Sequence, residues 1–90
     1  MKAHLLVGII LVQIRDVYNW LLIESDCPTL KEVVQNAVMR GISLAYANLE
    51  DIDLQGAYLC YGDFYRATFS KSKTSGVSFF GSDLTQAIFK

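Results

Sequence analysis

The chain has 90 residues, 52% of them hydrophobic, and a formal net charge of −1 at pH 7. This length accommodates one domain with a modest core, and the near-neutral charge excludes the strongly basic surface typical of nucleic-acid-binding domains. The two cysteines, Cys27 and Cys60, are too few for a disulfide framework, so we expect free thiols in a reducing cytoplasm.

The first forty residues predict a β-hairpin followed by a helix. Residues 3–12 are apolar apart from His4, but a bilayer span needs about 20 apolar residues, and a signal-peptide cleavage site is not recognisable before Arg15. We expect strands over residues 5–14 and 20–24 with a turn near 15–19, because Val, Ile, Leu and Trp suit buried strands.

A capping box predicts the start of the helix. Thr29 followed by Glu32 can satisfy backbone N–H groups of the first turn, and Arg40 and Gly41 supply a cation and a stop at the other end. A helix over about residues 29–40 has one apolar face, made of Leu30, Val33, Val34, Ala37 and Val38. We expect residues 1–41 to cover the first apolar residues of the segment that follows.

Residues 42–90 repeat with a period of five. Leu or Phe occupies nine of ten positions in register, and Thr74 occupies the tenth; the nine are Leu44, Leu49, Leu54, Leu59, Phe64, Phe69, Phe79, Leu84 and Phe89. A helix repeats every three or four residues and a strand every two, so a period of five indicates a repeat architecture. Small residues such as Ala47, Ala57 and Ala67 stand two positions earlier.

The order small residue, Asn or Asp, then Leu or Phe, clearest at residues 47–49 and 82–84, resembles the motif of the pentapeptide-repeat family. The resemblance covers residues 42–90, with departures at Tyr58, Gly62, Thr74 and Ile88. It implies an all-β-dominated fold, in which a right-handed quadrilateral β-helix, a solenoid of about 2.5 coils, is capped by the hairpin and the helix. Residues 1–41 and 42–90 would then form a single folded domain.

The sequence contains no expected catalytic, cofactor-binding or metal-binding constellation. The single histidine, His4, lies in a predicted strand without a nucleophile in view, and with two cysteines it is a poor basis for a zinc site. We therefore expect a protein that is not an enzyme, has no cofactor and acts through its outer surface.

Two sets of outward-facing residues are candidate partner-binding residues. Acidic residues concentrate in residues 41–65, as Glu50, Asp51, Asp53 and Asp63; the aromatic set is Tyr58, Tyr61, Tyr65 and Phe80, with Tyr46 expected beside Tyr65 and Arg66. Tyrosine is enriched at protein interfaces. Ordinary solvated charges and packing over corners are the alternative interpretations.

The pentapeptide-repeat resemblance implies a kind of partner. Acidic, rod-like members of that family that protect DNA gyrase are proposed mimics of duplex DNA. A solenoid roughly 12 Å tall matches only three or four base pairs, as in the short motif read by CRISPR effectors. We therefore expect a small cytoplasmic phage or bacterial inhibitor that blocks a nucleic-acid-binding complex by partial DNA mimicry. A CRISPR effector, for an anti-CRISPR-like protein, and a topoisomerase, for a gyrase modulator, are the candidate partners, and we expect no direct contact with nucleic acid or membrane.

The C-terminal repeats support a second hypothesis. Phe79, Ile88 and Phe89 continue the register to the last residue, and we expect an apolar end with unpaired strand edges there. These three residues are the candidate self-association residues of a homodimer. The alternative function is therefore a structural, self-assembling repeat module, and a membrane-associated role of the apolar N-terminal residues is a third.

Overall fold

The computed structural model describes residues 11–90. Two strands, β1 (Val12–Arg15) and β2 (Leu21–Ser25), form one antiparallel sheet, and helix α1 (Leu30–Met39) follows them. The strand predicted over residues 5–14 lies partly outside the described residues, and His4 lies entirely outside them. Within residues 11–90, no helix is long and apolar enough to cross a membrane.

The hairpin between β1 and β2 is closed by backbone hydrogen bonds of Asp16 with Trp20 and Asn19 and by the Asp16 carboxylate. Asp16 Oδ1 accepts hydrogen bonds from the backbone N–H groups of Tyr18 and Trp20, both at 2.9 Å. Asn19 takes a positive φ of 73°, a conformation that Asn tolerates in turns. Ile14 of β1 is paired with Ile23 of β2 and is 2% exposed. It is the fully buried side chain of the sheet, and Val12, Leu22 and Ile23 pack against the core while partly buried.

The helix begins at the predicted residue. Thr29 Oγ1 accepts a hydrogen bond from the Glu32 backbone N–H at 3.2 Å, which confirms Thr29 as the N-cap. The Glu32 carboxylate accepts from the Thr29 hydroxyl, also at 3.2 Å, so the reciprocal bond is made to a side chain and not to the backbone. The buried face of α1 consists of Val33, Val34 and Ala37.

The predicted fold class, an all-β-dominated quadrilateral β-helix or solenoid of about 2.5 coils, is wrong. The described residues form a small α/β fold with two strands in one open antiparallel sheet and one helix. Residues 42–90, which we call the turn region, contain turns and isolated single-residue bridges in place of strands. The five-residue period is the physical reason, because two residues of each unit form a turn and only one bridging residue remains, too few for a continuous ladder.

The parallel bridges in the turn region join residues that are 20 positions apart in the sequence. We call this separation the bridge interval. The parallel partners are Asn48 with Thr68, Asp53 with Lys73, Tyr58 with Ser78, Asp63 with Asp83, and Thr68 with Ile88. Each bridge rests on two backbone hydrogen bonds; at Thr68 the N–H donates to Ala47 O at 3.0 Å and the carbonyl accepts from Leu49 N–H at 2.9 Å. The chain therefore returns beside itself at this spacing, and a residue's spatial neighbours lie one bridge interval earlier or later in the sequence.

The Leu and Phe residues in register supply most of the largest buried side chains. The first six are buried, namely Leu44, Leu49, Leu54, Leu59, Phe64 and Phe69, and the buried face of α1 belongs to the same cluster. Burial weakens further along the chain, where Phe79 and Leu84 are only partly buried and Phe89 is 48% exposed. The helix thus covers one end of the turn region, while the end formed by residues 72–90 is open among the described residues.

Candidate functional site

Turns in the turn region place several non-glycine residues in the left-handed backbone conformation. The second residue of successive turns has a positive φ, for example 62° at Tyr61 and 56° at Arg66. Glycine occupies this position in other turns, as at Gly56 and Gly76, because the left-handed region costs a non-glycine residue roughly 1–2 kcal/mol. Side chains kept at such positions are functional candidates. Glycines recur at this position of the five-residue period, and they were the sequence signal that could have predicted the positive φ.

Three strongly exposed aromatic residues define a surface that we call the corner patch: Tyr58, Tyr61 and Phe80. They are 67%, 73% and 70% exposed, respectively. The Tyr61 and Phe80 rings meet edge to face, with centroids 5.7 Å apart and an interplanar angle of 89°. A Cβ on Gly81 would lie 2.5 Å from two Tyr61 ring atoms, so the ring rests on the Gly81 backbone. The patch is therefore both exposed and held in place.

Tyr58 joins the corner patch to the helix. Its backbone N–H donates to Gln35 Oε1 at 2.8 Å, across 23 residues of sequence. A hydrogen bond with the Cys60 thiol raises the pKa of the Tyr58 hydroxyl above its usual value. The Cys60 thiol also lies 3.2 Å from Ser78 Oγ, and both Cys27 and Cys60 are free thiols.

Tyr65, predicted to belong with the other aromatic residues, lies in a second cluster. Its ring meets that of Tyr46 at 5.7 Å, as the sequence predicted, and Tyr46 in turn contacts Tyr18 at 5.9 Å. The Arg66 guanidinium lies 5.6 Å from the Tyr65 ring centroid, and its Nε donates to Tyr65 Oη at 3.2 Å. Tyr18 was missed because it belongs to the hairpin, where the five-residue period does not extend.

The predicted acidic residues have structural roles as well as charge. Asp53 Oδ1 accepts from the backbone N–H of Gln55 at 3.0 Å, and Asp63 Oδ1 accepts from that of Tyr65 at 3.2 Å. These bonds between a side chain and the residue two positions on are Asx turns, which stabilise the chain reversal. Glu50 Oε2 accepts from Thr68 Oγ1 at 3.2 Å. Charge reversal at these positions would therefore disturb turns as well as the surface potential.

The structure does not gather the four acidic residues into one ridge. Asp53 is bridged to Lys73, and Asp51 and Asp53 line a shallow cavity together with Lys71 and Lys73. Opposite charges on neighbouring bridged residues offset each other. Asp51 and Asp53 thus lie beside two lysines that follow one bridge interval later in the sequence, Lys71 and Lys73.

Asp63 has a different environment, because its bridge partner is a second carboxylate, Asp83. Hydrogen bonds from Thr85 lower the pKa of Asp83 below its usual value, and the Thr85 backbone N–H donates at 2.9 Å. These hydrogen bonds favour the ionised form of Asp83. These two carboxylates are close in sequence to Tyr61 and Gly81 at the corner patch, and Asp83 is not among the acidic residues predicted from the sequence.

The self-association residues predicted from the sequence lie at the open end. The Phe89 ring stacks on Phe69 with centroids 4.7 Å apart and an interplanar angle of 7°, and Phe79 contacts Phe64 at 5.8 Å. Ile88 is 44% exposed. Among the described residues, the backbone N–H groups of Phe79 and Phe89 have no backbone acceptor, unlike the equivalent groups one bridge interval earlier.

No known protein family, curated protein sequence or solved structure matches this chain. The resemblance to the pentapeptide-repeat family therefore rests on its own residues and stays a prediction. Within residues 11–90, no group of three or more His, Cys, Asp or Glu side chains is arranged to hold a metal ion.

Proposed function

We propose that this protein is a non-catalytic binding protein whose corner patch contacts a partner protein. The observation that supports the proposal is the strong exposure of three aromatic side chains, two of which are in edge-to-face contact. Aromatic residues combine a large apolar area with few rotatable bonds, so they lose little entropy on binding and often dominate interface energetics. The Gly81 backbone under Tyr61 adds preorganisation, which lowers the cost of association.

The partner that fits this surface is a basic, nucleic-acid-binding protein complex in the cytoplasm. The Asp63–Asp83 pair offers two carboxylates near the corner patch, and carboxylates form strong charge-assisted hydrogen bonds with Arg and Lys. Such a chain would act as a small phage or bacterial inhibitor by partial DNA mimicry, with a CRISPR effector or a topoisomerase as candidate partners. The lysines beside Asp51 and Asp53 restrict the mimicry to the Asp63 side of the molecule.

Affinity capture from a bacterial lysate tests this proposal. Wild type is expected to retain a nuclease complex or a topoisomerase at low salt and less of it at moderate salt, because exposed charge contacts are screened. The variant Tyr61→Gly/Phe80→Ala is expected to lose the partner. Glycine at position 61 suits the positive φ of 62°, so this variant removes the Tyr61 ring without adding backbone strain.

Two further variants make the capture experiment specific. Lys71→Gly changes a residue at the same turn position, with a φ of 63°, on another surface, and should retain the partner. Asp63→Asn keeps an oxygen for the Asx turn but removes the charge, so retention should fall and its salt dependence should decrease. Capture of the same proteins at the same level by all four baits would contradict the proposal.

The open end favours self-assembly as the second candidate function. Ile88 and Phe89 are 44% and 48% exposed, respectively. Within residues 11–90, the Phe79 and Phe89 N–H groups have no backbone acceptor and could pair with a second chain. If the protein dimerises there, sedimentation equilibrium of wild type should give twice the chain mass and Ile88→Lys should give a monomer. Leu21→Lys, at a residue of similar exposure (46%) on β2, is the matched control. A wild-type monomer at all concentrations would rule out this function.

A further inference from the structure

A groove joins the hairpin turn to the turn region, on a surface separate from the corner patch. Its walls include Val17, Tyr18, Tyr46, Arg66, Gln86 and Ile88, and we call it the tyrosine groove. We propose that the tyrosine groove binds an extended, proline-containing acidic segment of another protein. This inference is independent of the function proposed for the corner patch.

Backbone hydrogen bonds hold the walls of the tyrosine groove together. The Val17 N–H donates to Tyr46 O at 2.8 Å, the Tyr46 N–H donates to Tyr65 O at 2.7 Å, and the Arg66 N–H donates to Thr85 O at 2.9 Å. The groove thus crosses three neighbouring backbone steps, each about 4.8 Å wide. Its length of about 14 Å accommodates four or five residues of an extended peptide at about 3.1 Å per residue.

The two tyrosine rings in the groove match the repeat of a polyproline II helix. Tyr18 and Tyr46 have ring centroids 5.9 Å apart with an interplanar angle of 41°. Two residues of polyproline II span about 6.2 Å, so alternate prolines could each contact one ring. Aromatic-lined grooves are a general means of recognising such segments, because the ligand is already extended and loses little entropy. Tyr18 is 69% exposed and therefore accessible to a ligand.

The positive charge of Arg66 in the groove indicates which ligand residue makes the third contact, after the two prolines. Arg66 is exposed, and among the described residues only its Nε is used in a side-chain hydrogen bond, to Tyr65. Its terminal nitrogens can hold a carboxylate in a bidentate pair. The same guanidinium repels a cationic ligand, and a single cation in the described walls is too few for the charged groove that single-stranded nucleic acid requires. An acidic residue two positions beyond the prolines is the ligand chemistry that fits.

Calorimetric titration of the full chain with two short peptides tests the proposal. The probes are acetyl-Pro-Ala-Pro-Ala-Glu-amide and its reversed-order counterpart, because polyproline II segments can bind in either direction. We expect saturable binding of at least one peptide, with Tyr18→Ala lowering the affinity by about tenfold or more. Exchanging Glu for Gln in the peptide should weaken binding about fivefold, as expected for an exposed ion pair. Arg66→Gln should abolish the difference between the Glu and Gln peptides.

Control variants separate a specific groove from general charge attraction. Lys71→Gln makes the same change of charge at the same turn position as Arg66, with a φ of 63° against 56°, and should leave the affinity unchanged. The proposal is overturned if neither peptide binds at millimolar concentration, or if Lys71→Gln weakens binding as much as Arg66→Gln. Tighter binding of oligothymidylate than of both peptides would also overturn it, in favour of a nucleic-acid ligand.

Discussion

Replacing Phe64 with Ala is expected to lower the free energy of unfolding by about 3–5 kcal/mol. Phe64 is 0% exposed, and its ring contacts Phe69 at 5.4 Å and Phe79 at 5.8 Å. Removing the ring leaves a cavity among side chains that the backbone bridges hold in place, so collapse into the space is limited. Domains of this size have only a small stability margin, and urea denaturation followed by circular dichroism should show partial or complete unfolding.

The matched control for this prediction is Phe80→Ala. It deletes the same atoms from a side chain that is 70% exposed, and we expect a loss below about 1 kcal/mol. Equal losses for the two variants would mean that the Phe64 ring does not lie at the centre of the core.

Gly62→Ala is expected to destabilise the protein by about 1–3 kcal/mol through overpacking. A Cβ at position 62 would lie 2.5 Å from Phe64 Cε2 and 3.1 Å from Val38 Cγ2. Neither atom has room to move, because Phe64 is fully buried and Val38 lies on α1 against the core. The structure thus accounts for glycine at a position of the repeat where Ala or Ser is usual, since the space of its side chain is taken by a phenyl ring.

A second substitution tests whether Phe64 is the cause. In the Gly62→Ala background, Phe64→Leu should recover stability relative to the sum of the two single effects, because residues in contact couple by about 0.5–3 kcal/mol. Phe79→Leu, a matched change in a neighbouring core ring, should recover none. Additive effects for Gly62→Ala and Phe64→Leu in urea denaturation would refute the close approach.

The sequence alone identified the largest buried side chains of residues 42–69 and the residue at which the helix begins. The first six Leu and Phe residues of the five-residue register are in the core, and Thr29 caps α1. Both features are local, since burial follows the apolar character of one side chain at a time and a cap needs only residues three positions apart. The aromatic and acidic candidates were likewise recognised as individual surface residues.

The grouping of those residues was decided only by the tertiary structure. Tyr65 lies with Tyr46 and Tyr18, apart from the corner patch, and Asp53 is beside Lys73 whereas Asp63 is beside Asp83. The fold class was also misjudged, because the five-residue period leaves single-residue bridges where strands had been expected. The sequence determined the chemical properties of each residue. Pairing across the bridge interval and docking of the hairpin determined which residues share a surface, because such contacts depend on chain geometry that local patterns do not encode.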